Sequence, residues 1–198
     1  MTFSDDIARA RKEPEVALQN VDPRVRCAAL ASLATRKQLG VHWDEVCHDA
    51  SWLVRRRACE LAAHTNLPPD AALIDLLGDE HPLVTEAAAF ALGERECVGA
   101  VPALVSIVSH DDPLVREAVV AALGAIGDLS GFDAVLAGLR DKPPIRRRAV
   151  CALAAFEGPE VEEALAIALN DRDWQVRQIA ETLMRTALVA PDDATGKP

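Results

Sequence analysis

The sequence predicts an all-α fold in which about six helix pairs stack into a solenoid. Three observations indicate this architecture: a thirteen-residue segment recurs along the chain, each copy is apolar on one helical face, and the composition is 50% hydrophobic but only 4% aromatic. Copies spaced by a fixed 20 to 50 residues or so are typical of stacked arrays, in which each repeat buries its apolar face against its neighbours.

The recurring segment is clearest at residues 112–124, which read DPLVREAVVAALG. A branched apolar residue marks the same place in six copies, at intervals of 29, 30, 31, 30 and 31 residues. These residues are Val25, Val54, Val84, Val115, Ile145 and Val176. Because the array runs unbroken from Glu13 to Arg185, we expect one domain over residues 1–186 and a disordered tail over residues 187–198.

Each repeat is interpreted as two helices, of which the second, the B helix, begins at the recurring segment. Asp112 precedes Pro113, a pair typical of a helix start, because the carboxylate caps free backbone N–H groups and proline loses no hydrogen bond there. Asp22, Ser51 and Asp173 are expected to cap their B helices in the same way. The poorer starts are His81 and Lys142.

The B helices are predicted to bury one apolar stripe. With the branched residue as position 0, positions +3, +4, +7 and +8 share its face and are apolar in the third and fourth copies. Positions +2, +5, +6 and +9 are expected to face outward. Gly93 and Gly124, at +9, are expected to end their helices and to leave a trough.

Apolar runs between the B helices predict the first helix of each pair, the A helix. They lie at residues 13–18, 41–47, 69–77, 101–108, 132–139 and 161–169. A short helix through Lys12, capped by Ser4, is expected before the first repeat.

The segment at residues 112–124 resembles the HEAT repeat and, more closely, the short HEAT-like repeats of the phycobilin lyase type. The resemblance covers six repeats and most of the chain. It implies a right-handed HEAT-like superhelix with the B helices on its concave side. It implies no single function, because scaffolding adaptors, regulatory subunits, bilin lyases, a di-iron hydroxylase and DNA glycosylases all contain such repeats.

The resemblance also implies a structural role for the arginine after each branched residue, which in such repeats binds acids in the turns between helices. The matching residues are Arg26, Arg55, Arg116, Arg146 and Arg177, with Thr85 in the third copy. The candidate acceptors are Asp22, Asp49, Asp79, Asp112, Asp141 and Asp171. A guanidinium fork suits two acceptors at once, so these arginines give little support to an anion site.

Charge and cysteine content limit the function classes. A formal charge of −10 disfavours binding to phosphate backbones. Five cysteines without a CxxC spacing indicate free thiols in a reducing compartment, the N-terminal segment does not have the pattern of a signal peptide, and no apolar run could span a bilayer. We therefore expect a cytoplasmic protein that binds neither nucleic acid nor membranes.

Patterns for catalysis or metal binding are scarce. No histidine precedes a glutamate, which excludes the ligand pairs of the di-iron hydroxylase, and no phosphate-loop or nucleophile-elbow motif occurs. The densest polar and aromatic cluster is His42, Trp43, Asp44, Cys47, His48 and Trp52. It is either a binding site or aromatic filling of the core, and filling is favoured because one helix face cannot present all its ligands. No catalytic residue, cofactor or metal is predicted.

The outward positions of the B helices form the surface best suited to binding. Phe90 is a bulky apolar residue beside the acidic Glu86 and Glu117, with Arg56 and Arg147 flanking them. The predicted partner-binding residues are Arg56, Glu60, Glu86, Phe90, Glu117, Arg147, Cys151 and Gln178. This face is either a solvated mixed-charge surface or a groove for a helix or extended peptide with basic residues.

These observations favour a non-enzymatic protein-binding scaffold or adaptor that uses its concave face. The alternative, a bilin lyase-like enzyme or chromophore chaperone, is supported by repeat similarity alone. The last helix pair has no polar cap after Arg185, so exposure of Leu183 and Met184 predicts a weak homodimer.

Overall fold

The computed structural model describes residues 2–65 and 68–189, and within them the chain forms thirteen α-helices and no strand. The helices are α1 (Phe3–Lys12), α2 (Pro14–Ala17), α3 (Pro23–Thr35), α4 (Trp43–Cys47), α5 (Trp52–Ala62), α6 (Asp70–Ile74), α7 (Pro82–Glu94), α8 (Val101–Ser106), α9 (Pro113–Ile126), α10 (Phe132–Gly138), α11 (Pro143–Ala152), α12 (Pro159–Ala168) and α13 (Trp174–Val189). Short 3-10 helices lie at Leu39–His42, Asp75–Gly78, Val98–Ala100, Leu129–Gly131 and Leu153–Ala155. The predicted all-α fold is confirmed.

Six helix pairs stack in chain order. The B helices are α3, α5, α7, α9, α11 and α13, and each packs against the next one along the chain. The A helices are α2, α4, α6, α8, α10 and α12, and each packs on the B helix that follows it. α1 packs on α2 and α3. The contacts between successive repeats are those of a solenoid. No helix in the described ranges is long and apolar enough to cross a membrane.

The B helices begin as predicted, with two differences in capping. Asp112 accepts a hydrogen bond from the backbone N–H of Leu114 at 2.8 Å. Ser51 makes no such bond with its side chain. His81 does act as a cap, since its Nδ1 accepts from the backbone N–H of Leu83 at 3.3 Å. An unprotonated imidazole nitrogen thus replaces the carboxylate oxygen used elsewhere.

The buried arc of the B helices is wider than predicted. The core stripe expected for α7 is buried along its whole length. Position +5, expected to face outward, is instead buried in five copies: Leu30, Cys59, Ala89, Val120 and Val150. An internal B helix has a B helix on either side and A helices beneath it, so more than one stripe is removed from water.

Two glycines have a different role from the one predicted. Gly93 and Gly124 lie inside α7 and α9, and the end of α9 is marked by Gly127 with a left-handed φ of 67°. A Cβ at Gly93 would lie 2.8 Å from the Cα of Ala122, and one at Gly124 would lie 2.8 Å from the Cα of Ala152. These glycines let successive B helices approach closely and do not end their helices.

The N-terminal helix begins differently from the prediction. Thr2, and not Ser4, is its cap: the Thr2 hydroxyl accepts from the backbone N–H of Asp5 at 3.3 Å, and the Asp5 carboxylate accepts from the backbone N–H of Thr2 at 2.8 Å. This reciprocal pair is a capping box.

The last helix extends further than the sequence indicates. α13 ends at Val189, three residues into the segment assigned to the tail. Residues 190–198 lie outside the described residues, so the tail stays a prediction. Leu183 and Met184 are partly buried and pack against the core, so less of the apolar end is exposed than we expected.

Candidate functional site

Four of the five arginines at position +1 form the expected ladder on the turns between A and B helices. Arg177 donates instead to the backbone carbonyls of Asp171 and Arg172, at 2.7 and 3.3 Å. Arg55 donates from Nε and Nη2 to the carboxylate of Asp79 at 2.7 and 2.9 Å, and from Nη1 to the backbone carbonyl of Asp49 at 2.8 Å. The same fork joins Arg26 to Asp49, Arg116 to Asp141 and Arg146 to Asp171. Among the other predicted acceptors, Asp22 and Asp112 cap their helices instead. These groups link neighbouring repeats.

The third rung of the ladder lacks both charges. Thr85 donates its hydroxyl to the backbone carbonyl of Asp79 at 3.3 Å, where the other copies place a guanidinium nitrogen. His110 occupies the acceptor place in the next turn, and its Nδ1 accepts from the backbone N–H of Asp112 at 3.0 Å. Asp79 makes the matching bond to the backbone N–H of His81 at 2.8 Å. The turn keeps its backbone hydrogen bonds, while Thr85 and His110 take the places of the arginine and the aspartate.

The opposite side of the B helices carries an open groove between α7 and α9, with a volume of about 410 Å³. We call it the α7–α9 groove. Its lining residues are Glu86, Phe90, Gly93, Glu94, Leu114, Glu117, Ala118, Ala121, Ala122, Ala125 and Arg148. Glu86, Phe90 and Glu94 follow one another at spacings of four, so they form one line along α7. Four of the lining residues from α9 are alanines, which leave room between the larger side chains.

Glu86 is a half-buried carboxylate of this groove. Burial raises its pKa, the neighbouring charges of Glu60 and Glu117 raise it further, and Arg56 opposes them. Within the described ranges, Glu86 has no ion pair shorter than 4.0 Å, whereas Glu117 has Arg148. The groove therefore holds a half-buried negative charge that a cation could stabilise.

Two apolar side chains stand in the same groove. Phe90 is 45% exposed and Leu114 is 52% exposed. Phe90 was singled out by the sequence, and Leu114 was not. An exposed aromatic ring beside carboxylates can hold the flat or aliphatic part of a basic side chain, so the groove combines apolar and electrostatic contacts.

Arg148 is a charged residue of the groove that is not among the predicted partner-binding residues. It comes from α11, and its Nη2 lies 3.6 Å from Oε1 of Glu117. The two side chains are 49% and 30% exposed, so this is a loose surface pair. One signal could have identified it: arginine occupies +3, a position that most copies fill with an apolar residue. Those apolar residues are Ala28, Ala87, Ala118 and Ile179.

Two predicted site residues of the second repeat pair with each other. Arg56 lies 3.0 Å from Glu60, and Arg57 reaches the other oxygen of the same carboxylate at 2.9 Å. Both pairs lie within α5 and border the groove without lining it. Their charges reach Glu86, since Arg56 lowers its pKa and Glu60 raises it.

The structure does not bring the remaining predicted residues into the groove. Arg147 donates to the carboxylate of Asp173 at 3.2 and 3.0 Å, which fixes it to the start of α13. Cys151 and Gln178 are exposed on α11 and α13. Of the eight predicted residues, Glu86, Phe90 and Glu117 share one groove.

The cluster around Trp43 divides into two parts. Trp43 is 3% exposed and fills the core, as the favoured interpretation expects. Trp52 is 37% exposed and stacks on His81, with ring centroids 4.2 Å apart and planes 7° from parallel. Within the described ranges no group of three or more His, Cys, Asp or Glu side chains is placed to hold a metal ion.

Cys47 and His48 lie near one another, with Sγ and Nδ1 separated by 3.1 Å, beside a cavity of about 540 Å³. Burial raises the pKa of Cys47, and the charges of Asp44 and Asp75 raise it further. The nucleophilic form of cysteine is the thiolate, which such surroundings disfavour. His48 Nδ1 also lies 2.9 Å from the backbone carbonyl of Asp44. This pair therefore does not have the surroundings of an activated nucleophile.

Comparisons with known proteins agree with the repeat architecture. The profile of HEAT repeats matches residues 70–154, and that of the PBS lyase HEAT-like repeat matches residues 145–171. Together these matches extend from α6 to α12. No curated protein matches the chain.

Solved structures share the fold at low sequence identity. An engineered protein gives a TM-score of 0.67 at 19% identity, over 91% of this chain and 97% of its own. A designed armadillo repeat protein in complex with the peptide (KR)4 gives a TM-score of 0.63 at 16% identity, over 90% of this chain and 98% of its own. The complex of CpcE and CpcF of phycocyanin lyase from Nostoc sp. gives a TM-score of 0.64 at 23% identity, over 91% of this chain and 74% of its own. Residues 70–171 are therefore similar to HEAT and PBS lyase HEAT-like repeats, and the stacked helix pairs continue the same architecture from α2 to α13.

Proposed function

We propose that this chain is a non-enzymatic scaffold that binds a protein segment with basic residues on the B-helix side of the solenoid. The α7–α9 groove carries this proposal. Three carboxylates, one guanidinium and an exposed phenylalanine line this open groove of about 410 Å³. A groove with excess negative charge and an apolar anchor complements an extended chain or helix that carries arginine or lysine.

The designed armadillo protein with bound (KR)4 supplies a practical probe, since it shares the fold and its peptide has the charge that this groove would select. Titration calorimetry with that eight-residue peptide should give saturable binding to the wild type. Glu86→Arg with Glu117→Arg should abolish the binding, because two attractive charges become repulsive. Both side chains are part-exposed, so the fold should survive, which circular dichroism would verify.

A matched control separates the site from the overall charge. Glu157 and Glu163 are exposed and lie outside the groove. Glu157→Arg with Glu163→Arg changes the net charge by the same amount and should leave most of the affinity intact. Equal loss in both double variants would show that the peptide responds to total charge, and the proposed site would be wrong.

A bilin lyase-like or chromophore-chaperone function is the second candidate. The PBS lyase repeat at residues 145–171 and the likeness to the phycocyanin lyase complex favour it. The excess negative charge of the α7–α9 groove disfavours it there, because a bilin carries carboxylates of its own. Visible absorbance distinguishes the two functions: a shifted and enhanced band on mixing with a bilin would support the second candidate, and an unchanged spectrum would contradict it.

Self-association at the C-terminal end is a further part of the proposal. Leu183 and Met184 are partly exposed near the end of the stack. Light scattering at high micromolar concentration should detect dimers if a second copy covers this end. A monomeric mass throughout the range would contradict that contact without affecting the groove.

A further inference from the structure

The α7–α9 groove already contains one basic side chain, which belongs to the protein itself. Arg148 extends from α11 to Glu117 on α9 and forms part of the groove lining. Its guanidinium therefore stands beside a carboxylate that a basic partner would need. The following inference rests on the proposed function and concerns how this site selects its partner.

The contact made by Arg148 is weak. A separation of 3.6 Å and side chains that are 49% and 30% exposed describe a solvated pair with one long contact. Such pairs contribute little, because water screens them and two flexible side chains must be held in place. Arg146, two residues earlier, is bound by a fork of 2.8 and 2.7 Å and is 12% exposed. Separating Arg148 from Glu117 should therefore cost less than separating Arg146 from Asp171.

The second repeat shows a different use of the same position. Arg57 stands at +3 like Arg148, but it binds Glu60 within its own helix at 2.9 Å, where Arg56 also binds. Those charges neutralise one another locally. In the groove, by contrast, Glu86 and Glu94 have no ion pair shorter than 4.0 Å within the described ranges, and Arg148 contacts Glu117 alone among the three lining carboxylates.

The groove favours arginine over lysine as the incoming group. Glu86 and Phe90 are four residues apart on α7, so the carboxylate and the ring are neighbours on one helix face. A guanidinium can lie flat on an aromatic ring while it donates in its plane to carboxylates on both sides, and an ammonium cannot do both in the same way. Glu117 on the adjacent helix supplies the second carboxylate once Arg148 moves away.

We propose that the α7–α9 groove is the pocket for one arginine side chain of the partner, and that Arg148 is an internal competitor which this arginine displaces. Arg148 lowers the affinity for basic segments in general. This cost is the same for arginine and for lysine, so the preference for arginine comes from the contacts that its guanidinium makes with Phe90 and Glu86.

Calorimetric titrations with the wild type and Arg148→Gln test this inference, using (KR)4 and the all-lysine and all-arginine octapeptides. The variant should bind (KR)4 roughly threefold to tenfold more tightly, since a competing contact and a like charge are removed. Arg140→Gln is the matched control, because Arg140 is exposed, lies outside the groove and carries the same charge. It should change the affinity less than about twofold, as expected of a distant screened charge.

Each outcome decides a separate point. Unchanged or weaker binding by Arg148→Gln, with wild-type binding still dependent on Glu86 and Glu117, would overturn the competitor role and leave the proposed function standing. Equal affinity of the wild type for the all-lysine and all-arginine peptides would overturn the arginine pocket. No binding of any peptide to any variant would overturn both this inference and the basic partner of the proposed function.

Discussion

Arg146 and Arg148 are two residues apart on α11 and have opposite surroundings. Arg146 is 12% exposed and held by a two-bond fork to Asp171, and it also donates to the backbone carbonyl of Asp141 at 2.8 Å. Arg148 is 49% exposed and makes one contact of 3.6 Å. The comparison shows that the number of fixed acceptors, and not the residue type, distinguishes a structural arginine from a loosely held one.

The first prediction concerns the firmly held arginines of the ladder and uses the most buried pair, Arg55 with Asp79. Arg55→Met should lower the free energy of unfolding by about 3–5 kcal/mol, because it leaves the Asp79 carboxylate buried without its partner. The two side chains are 9% and 6% exposed. Arg148→Met should change stability by less than about 1 kcal/mol, as for other exposed pairs. Urea unfolding measures both, and a similar small effect in the two variants would contradict the distinction.

The second prediction restores the missing rung. Thr85→Arg alone should destabilise the protein, since Thr85 is fully buried and His110 occupies the acceptor place in the next turn. Adding His110→Asp supplies the acceptor, so the pair should recover about 1–3 kcal/mol relative to the sum of the single variants. A double-mutant cycle on thermal unfolding gives this coupling energy. Strict additivity would show that the third turn cannot form the fork seen in its neighbours.

The third prediction concerns the α7–α9 groove, in which Arg148 is loosely held. Phe90→Ala should weaken binding of (KR)4 by about 1–3 kcal/mol, because a half-exposed ring at the groove is an anchor for the partner. Leu129 is 76% exposed and lies outside the groove, so Leu129→Ala is the control and should leave affinity unchanged. Calorimetry on both variants provides the measurement. Equal affinities would place the binding surface elsewhere.

The fourth prediction is a smaller effect of pH. Burial, and then Glu60 and Glu117, raise the pKa of Glu86 above its ordinary value of 4.5. In the free protein, the stability cost of ionising Glu86 is therefore absent below pH 4.5 and grows as pH rises through the raised pKa. A basic peptide needs the ionised form, so affinity should fall as pH decreases through that pKa. Glu86→Gln should flatten this part of the affinity profile measured between pH 7 and pH 4.5, and an identical slope in both proteins would contradict the assignment.

Much of the fold can be predicted from the sequence, because the regular geometry of a helix determines which of its residues share a face. The repeat interval, the Asp112–Pro113 start and the apolar stripe are local properties, and they place six helix pairs correctly. The ladder was likewise expected from the arginine that follows each branched residue. Glu86, Phe90 and Glu117 were identified for the same reason, since position along a helix fixes the direction of a side chain.

Contacts between helices were decided by the tertiary structure alone. The periodicity of one helix does not state how many neighbours it has, so the burial of Val120 at +5 was not foreseen. Gly93 is small because the Cα of Ala122 would lie 2.8 Å from its Cβ, a fact about another helix. Arg148 enters the groove because a long, flexible side chain can reach Glu117 on the adjacent repeat. Sequence spacing sets where such a side chain starts, and the packing of the repeats sets which partner lies within its reach.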